Sequence, residues 1–425
     1  MKRNLLLAIL LIPFIGLCQT PKQIAKAFVE AIFNKQYDTA ISYIDSSIQN
    51  KMPPVLLGQI TNSMVQKNGD FKKVVDVNQQ QAGGYLNCIV NTVFEKNSEL
   101  IRTVFNSNNK IIGFFLVPHR KNQETDDAPN AYNIKSGNLT LPGTLLIAKD
   151  NNQKKLVILV HGSGANDRDE TLGQLKPFKD LAQGLLKAGI STYRYDKRTF
   201  VAPKSLPKNF TVDDVVTNDV LNIIHYFNNN DTFQNYKLYV IGHSLGAFMA
   251  PRIAKKAKGV VNGVVMMAGP ARPIQDLILE QLTYLDSLTP SKELDEKLKE
   301  VKRQIHYMHG KAFNQNSPSD SLLSKQQASF WLSFNAYKPL EVIKSINTPF
   351  LILQGEKDYQ VRMADFNLWK RATKGMSNIS FKSYPGLSHL FMQSNGTPSP
   401  KDYEGEKHIP SQVINDIASW IKKNG

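Results

Sequence analysis

Ser244 stands in the run Val240-Ile-Gly-His-Ser-Leu-Gly-Ala-Phe-Met-Ala250, where a glycine precedes it by two positions and another follows it by two. G-x-S-x-G alone is too short to decide anything, but its surroundings are specific. Tyr236 to Ile241 is a short, β-branched apolar run that predicts a buried strand, and Ala247 to Lys258 predicts a helix interrupted early by Pro251. Strand, glycine-flanked serine and helix are the context of a nucleophile elbow. A serine held in a strained turn is crowded from both sides, and residues without Cβ relieve the crowding. The helix that follows aims its first amides at the reacting centre, so the N–H of Leu245 is a candidate oxyanion donor.

A serine nucleophile needs a base, an acid that orients the base, and a second oxyanion donor. The apolar run Phe350 to Gln354 leads into Gly355-Glu-Lys-Asp358, which sets Asp358 just beyond a strand. After the last strand-like run, Tyr384-Pro-Gly-Leu-Ser-His389 sets an imidazole in the corresponding loop. The chain order Ser244, Asp358, His389 is that of α/β hydrolases and differs from the chymotrypsin and subtilisin orders. His161-Gly-Ser-Gly164 directly follows the apolar run Leu156 to Val160, and there the N–H of Ser163 is the candidate second donor. His161 itself reads as a hydrogen-bonded structural histidine, because His389 fills the role of base.

These motifs resemble the α/β-hydrolase-fold bacterial serine esterases, the group that includes carboxylesterases, serine aminopeptidases, relatives of monoglyceride lipases and dienelactone-hydrolase-like enzymes. HGSGANDRDE (161–170), YRYDKRTF (193–200), GHSLGAF (242–248), MAGPARP (267–273) and LQGEKDYQV (353–361) carry the resemblance. It implies Ser244 as nucleophile, His389 as base, Asp358 as its partner, and the Ser163 and Leu245 amides as oxyanion hole. It also implies two-step acyl transfer without a cofactor. Ala247 departs from the pattern, since many relatives carry a further glycine there.

Such residues must be positioned by a sheet. From 134 to 425 strand-like and helix-like runs alternate, which predicts a mostly parallel sheet with helices on both faces and a site at the strands' carboxyl ends. Within that domain, 271–345 resembles a helical lid. There Thr289-Pro290 is expected to cap a helix whose Leu294, Leu298, Val301, Ile305 and Met308 form one stripe. Phe334 and Tyr337 share a face next to Trp331, and these three are candidate acyl-pocket residues, with lid-to-core packing as the alternative. His306 and His309 stand at helical i, i+3 spacing, but no third ligand accompanies them and no metal is expected.

Residues 19–119 open with Thr20-Pro21 at a helix start and continue into strand-like runs at 71–77, 85–96, 100–105 and 111–117, with Gly83-Gly84 as a turn. This predicts a small α+β domain, which resembles cystatin-like or nuclear-transport-factor-like half-barrels. Residues 120–133 are polar and aperiodic and read as a linker.

Residues 1–18 combine the basic start Met1-Lys-Arg with an apolar run from Leu5 to Gly16 that is too short to span a bilayer, the pattern of a secretory signal with cleavage before Gln19. The expectation is an exported protein, periplasmic or extracellular, with lipid anchoring at Cys18 as the lesser alternative. Without Cys18 the chain keeps only Cys88, so no intrachain disulfide is expected. The net charge of +16 comes from scattered lysines, which suits weak attraction to anionic envelope polymers and argues against nucleic acid. The leading expectation is a hydrolase of small-molecule esters with small to medium acyl chains. An aminopeptidase or acyltransferase on the same triad is the alternative, with Asp167, Asp169 and Glu170 as conceivable partners of a substrate amine, and a non-catalytic envelope-binding protein is a further one. The oligomeric state is not legible.

Overall fold

The computed structural model of the chain describes residues 20–50, 52–82, 85–117 and 130–424, in two units that divide between Glu124 and Thr125. The leader, the Gly83-Gly84 turn and linker residues 120–129 lie outside the described residues.

In the first unit, Thr20 and Gln23 form a capping box that starts α1 (Pro21–Phe33), and Pro21 occupies the first turn, where its missing N–H costs nothing. Helices α2 (Tyr37–Ser42), α3 (Ser46–Gln49) and α4 (Pro54–Asn68) follow. The sequence reading missed α4. Its buried face is Leu57, Thr61, Met64 and Asn68, so the helical spacing is present but two of its four members are polar. Those two are satisfied internally: Thr61 Oγ1 donates to the Leu57 carbonyl at 3.0 Å, and Asn68 Oδ1 accepts from Asn97 at 2.9 Å. Strands β1 (Phe71–Ala82), β2 (Tyr85–Phe94), β3 (Ser98–Phe105) and β4 (Ile111–Val117) pair antiparallel in chain order. Phe28, Ile32, Cys88, Val90, Ile101 and Phe105 share the core between this sheet and α1. Burial pushes the Cys88 thiol up to about 11, which suits an inert apolar residue.

The second unit begins with the hairpin β5 (Ile134–Ser136) and β6 (Leu139–Leu141). Then come β7 (Gly143–Leu146), β8 (Lys155–Val160), α5 (Pro177–Lys187), β9 (Ser191–Tyr195), α6 (Arg198–Val201), α7 (Asn218–Asn228), β10 (Lys237–His243), α8 (Leu245–Lys256) and β11 (Val261–Met267). The insertion carries α9 (Ile274–Leu288), α10 (Lys292–His309), α11 (Ala328–Asn335) and α12 (Pro339–Lys344). The unit ends with β12 (Phe350–Gly355), α13 (Met363–Ala372), β13 (Ile379–Tyr384) and α14 (Ser411–Lys423). Seven strands form one sheet in the order β13-β12-β11-β10-β8-β9-β7, parallel except where β7 meets β9. The fold is the α/β-hydrolase arrangement that the sequence resemblance implied.

The period of two along each strand feeds two cores. Ile158, Val160, Val240, Val264 and Ile352 face the layer that contains α7, α8 and the insertion. Val157, Leu159, Ile241, Val265 and Leu353 face α5 and α14. Both sides are covered, so the strands read as unbroken apolar runs.

Two expectations need correction. The cap of α10 is Ser291, whose Oγ accepts from Leu294 N at 3.1 Å; Thr289 instead closes α9, its N–H bonded to Leu285 O. Only Ser291 has the extended backbone that lets a side chain turn back onto the helix start. The stripe itself is in place, with Leu298, Val301, Ile305 and Met308 buried. Nor does the polar stretch reach residue 133 as a free linker. Tyr132 stacks on Phe227, shares a hydroxyl hydrogen bond with Tyr226 at 2.8 Å and donates its N–H to Gly143 O.

Phe227 is fully buried among Tyr132, Tyr193, Tyr226 and Phe233. Phe227→Ala is expected to lower the unfolding free energy by about 3–5 kcal/mol, read by denaturant titration; a loss below 1 kcal/mol contradicts this packing.

Candidate active site

Ser244 ends the β10 turn and caps α8 with φ 52° and ψ −114°, a backbone conformation that costs a non-glycine residue on the order of 1–3 kcal/mol. Its N–H is tied to Met267 O at 2.9 Å, at the end of the neighbouring strand β11. The flanking glycines are required by approach. A Cβ on Gly242 would stand 2.5 Å from the Gly246 carbonyl, and one on Gly246 would collide with the carbonyl of Val160 at the end of β8. Ala247 is accommodated because its neighbour is Gly269, where a side chain would crowd the Ala247 methyl. Ser244 is partly open to solvent. Leu245 begins α8, so its N–H is among the four that lack an intrahelical acceptor.

Asp358 and His389 meet on the loops after β12 and β13. Asp358 Oδ2 lies 2.7 Å from His389 Nδ1 and also accepts from Gln354 Nε2 at 3.0 Å. Its Oδ1 accepts from the N–H groups of Gln360 and Val361 at 2.8 and 2.9 Å. Two partners on each oxygen fix the carboxylate's plane, and the buried acid in turn orients the imidazole through Nδ1. Gly355 makes the meeting sterically feasible, since a Cβ there would stand 2.5 Å from Ser388 O.

The loop after β8 lies against Ser244: a Cβ on Gly162 would come within 3.2 Å of the Ser244 Cβ. Both polar groups of Gly162 are engaged. Its N–H donates to Glu170 Oε1 at 2.5 Å, and its carbonyl accepts from Lys197 Nζ at 2.7 Å and Asn166 Nδ2 at 3.2 Å. Arg168 grips Asp196 with two hydrogen bonds and donates to Gly143 O, which anchors the same loop to β7. Ser163 stands exposed at its tip.

Next to Ser244 and His389 is a buried electrostatic layer that the sequence reading did not find. Glu170 Oε2 and His243 Nδ1 stand 2.9 Å apart as an ion pair, though not aligned as a hydrogen bond. His243 Nε2 donates to His389 O at 3.0 Å, and the two rings lie 4.7 Å apart. Burial opposes charge on both partners, but their mutual attraction prevails: His243 titrates above the ordinary histidine value and Glu170 below the ordinary glutamate value. His161, enclosed between Phe178 and Tyr195, behaves oppositely, and burial takes it down to about 4 despite the nearby Glu170 charge. It is a neutral structural group, although neither ring nitrogen has a hydrogen-bond partner, contrary to the expected hydrogen-bonded histidine. Two signals for this layer were available: polar Gln354 closing an apolar strand, and the charged Asp196-Lys197-Arg198 run directly after the buried strand β9.

The three acidic residues considered for a substrate amine are already committed. Asp169 pairs with Arg194, Glu170 with His243, and Asp167 caps a turn by accepting from Asp169 N and Thr171 N. The lid aromatics divide. Phe334 and Tyr337 line a cavity of about 300 Å³ together with Phe248, one helical turn from Ser244. Trp331 is not in that lining; its Nε1 donates to Leu323 O within the insertion.

Residues 151–395 match the family described as Serine aminopeptidase, S33, and residues 25–114 match a family described as a protein of unknown function, DUF3887. Esterase EstD of Thermotoga maritima is 30% identical over 405 residues, 94% of this chain and 95% of that protein. A monoglyceride lipase homolog of Monkeypox virus is 22% identical over 287 residues, 63% of this chain and 89% of that protein. Among solved structures, Est1E from Butyrivibrio proteoclasticus aligns with a TM-score of 0.45 at 13% identity, covering 69% of this chain and 98% of its own.

Unfolded, His161 takes up a proton near pH 6.5; folded, it does so only near pH 4. Between those values the unfolded state binds more protons, so stability is fully present above 6.5 and falls toward 4, by on the order of 3 kcal/mol. Urea unfolding across this range checks the slope, and His161→Gln is expected to flatten it; an unchanged slope in that variant contradicts the assignment.

Proposed function

The chain belongs to the serine aminopeptidase S33 family, and from that premise we propose that it hydrolyses carboxylic esters with small to medium acyl groups through Ser244, His389 and Asp358. One observation carries the reading: a buried 2.7 Å Asp358–His389 bond whose histidine packs on His243, the residue before a serine strained to φ 52° at a strand-to-helix turn. The family is described as a serine aminopeptidase, whereas the relative that spans nearly the whole chain is named an esterase, and the proposal follows the latter.

On this reading the reaction is acyl transfer in two steps. His389 Nε2 takes the Ser244 proton as Oγ attacks the ester carbonyl, and the carbonyl electrons move onto an oxygen that faces the Ser163 and Leu245 amides. When the tetrahedral intermediate collapses, the ester C–O bond breaks and His389 returns the proton to the departing alcohol. Water repeats the sequence and frees the acid and Ser244. Throughout, Asp358 orients the ring and stabilises the imidazolium.

One observation favours esters over peptides: the carboxylates considered for a substrate amine are paired within the protein. The same reading includes export by the basic and apolar segment at 1–18 and weak attraction of the lysine-rich surface to anionic envelope polymers.

Labelling with a fluorophosphonate probe, then assays of p-nitrophenyl esters against aminoacyl-nitroanilides, tests the proposal. Ser244→Ala is expected to abolish labelling and to lower ester turnover by on the order of 10⁴-fold to 10⁶-fold without unfolding the protein. Near-normal ester hydrolysis by that variant, or faster cleavage of the anilides, overturns it.

A further inference from the structure

Lys197 follows β9, and its side chain is almost completely buried. A buried ammonium is costly unless its surroundings repay it. Among the described residues, the one hydrogen bond that Nζ makes is to the Gly162 carbonyl, at 2.7 Å. This carbonyl belongs to the same peptide unit as the Ser163 N–H. No peptide bond among the described residues is cis, and in a trans peptide the C=O and N–H point in opposite directions. Drawing the Gly162 oxygen inward therefore turns the Ser163 N–H outward, on a loop that touches Ser244 at Gly162. Glu170 holds the other side of Gly162 through its N–H, so the loop has two buried pins of opposite charge.

We infer that Lys197 is a positioning residue for the oxyanion hole: its ammonium holds the Gly162 carbonyl so that the Ser163 N–H meets the negative charge that develops on the substrate oxygen. The inference rests on the serine-hydrolase reading above. The charge adds to the geometry, because an ammonium on the carbonyl polarises the amide and strengthens its N–H as a donor.

The arrangement gives the site an alkaline limb. Glu170 on the loop and Asp219 on α7 face Lys197 as anions, themselves paired with His243 and Arg198; His161 faces it as a neutral ring; and Asp196, its chain neighbour, is held by Arg168. Burial outweighs the two anions and brings Lys197 down to about 8. The protonated form, present below that value, holds the carbonyl more strongly. Turnover should therefore fall to a lower plateau as pH rises through it.

The test uses the full chain, a p-nitrophenyl ester and a trifluoromethyl ketone that forms a tetrahedral adduct on serine. For Lys197→Met the expected results are a kcat lowered by about 10-fold to 100-fold at neutral pH, a KM within about 2-fold of the parent, and weakening of ketone binding by the same factor as kcat. The alkaline decline should disappear, and Lys197→Arg should restore part of the rate. A group that serves only stability would change the melting temperature and leave the ketone affinity and the pH profile as they were. Should Lys197→Met not fold, Lys197→Gln takes its place. If both fail, the parent profile decides, since a rate that does not decline above pH 8 overturns the inference. Ser244-dependent hydrolysis with parent-like kcat in the Lys197 variants overturns the positioning role alone; hydrolysis that survives Ser244→Ala overturns the hydrolase reading and this role with it.

Discussion

The site depends on the close approach of Gly246 to the end of β8. Because Gly246 lacks a Cβ, α8 can start directly against the Val160 carbonyl, and the turn between β10 and α8 closes tightly enough to force Ser244 into a left-handed backbone conformation. This contact seats the Ser244 turn against the end of β8, the strand that pairs with β10 and leads into the Gly162–Ser163 loop. Gly355 plays the equivalent part for Asp358 and His389, since it lets the end of β12 reach the loop that holds His389. Strain at Ser244 is sustained because the parallel sheet on either side is buried on both faces and does not yield.

Around these approaches the protein places an unusual number of charges out of solvent. Asp169 with Arg194, Glu170 with His243 and Arg198 with Asp219 are pairs whose members are mostly buried. Such pairs rarely add much net stability, since desolvation takes back most of what attraction gives. Their value here is directional. For the Gly162–Ser163 peptide the charges that matter are Glu170, which accepts from the Gly162 N–H, and Lys197, which donates to the Gly162 carbonyl.

How much of this was legible in the sequence differs by residue. The strained turn at Ser244 and the meeting of Asp358 with His389 were readable because each residue follows a short apolar strand, and strand ends converge in a parallel sheet. Helix α4 was not, because Thr61 and Asn68 occupy buried positions and dilute its apolar period. The cap of α10 was misplaced by two residues, since Thr289 and Ser291 offer the same hydroxyl and only backbone conformation separates them. The buried charge layer was hidden for a deeper reason. Lys197, Glu170 and His243 look like surface residues by type, and only the three-dimensional contacts reveal that they are enclosed. Phe334 and Tyr337 reach a cavity, whereas Trp331 does not, a distinction that the helical spacing alone could not draw.

The central claim is that separate strand tips deliver a nucleophile, a base and two amide donors to one carbonyl. A crystal structure of the phosphonylated protein measures this directly. The account predicts phosphorus bonded to Ser244 Oγ, with the phosphoryl oxygen about 2.7–3.1 Å from both the Ser163 and Leu245 nitrogens and with His389 Nε2 facing the leaving side. Phosphorus on another residue, or a phosphoryl oxygen turned away from those two amides, would contradict it.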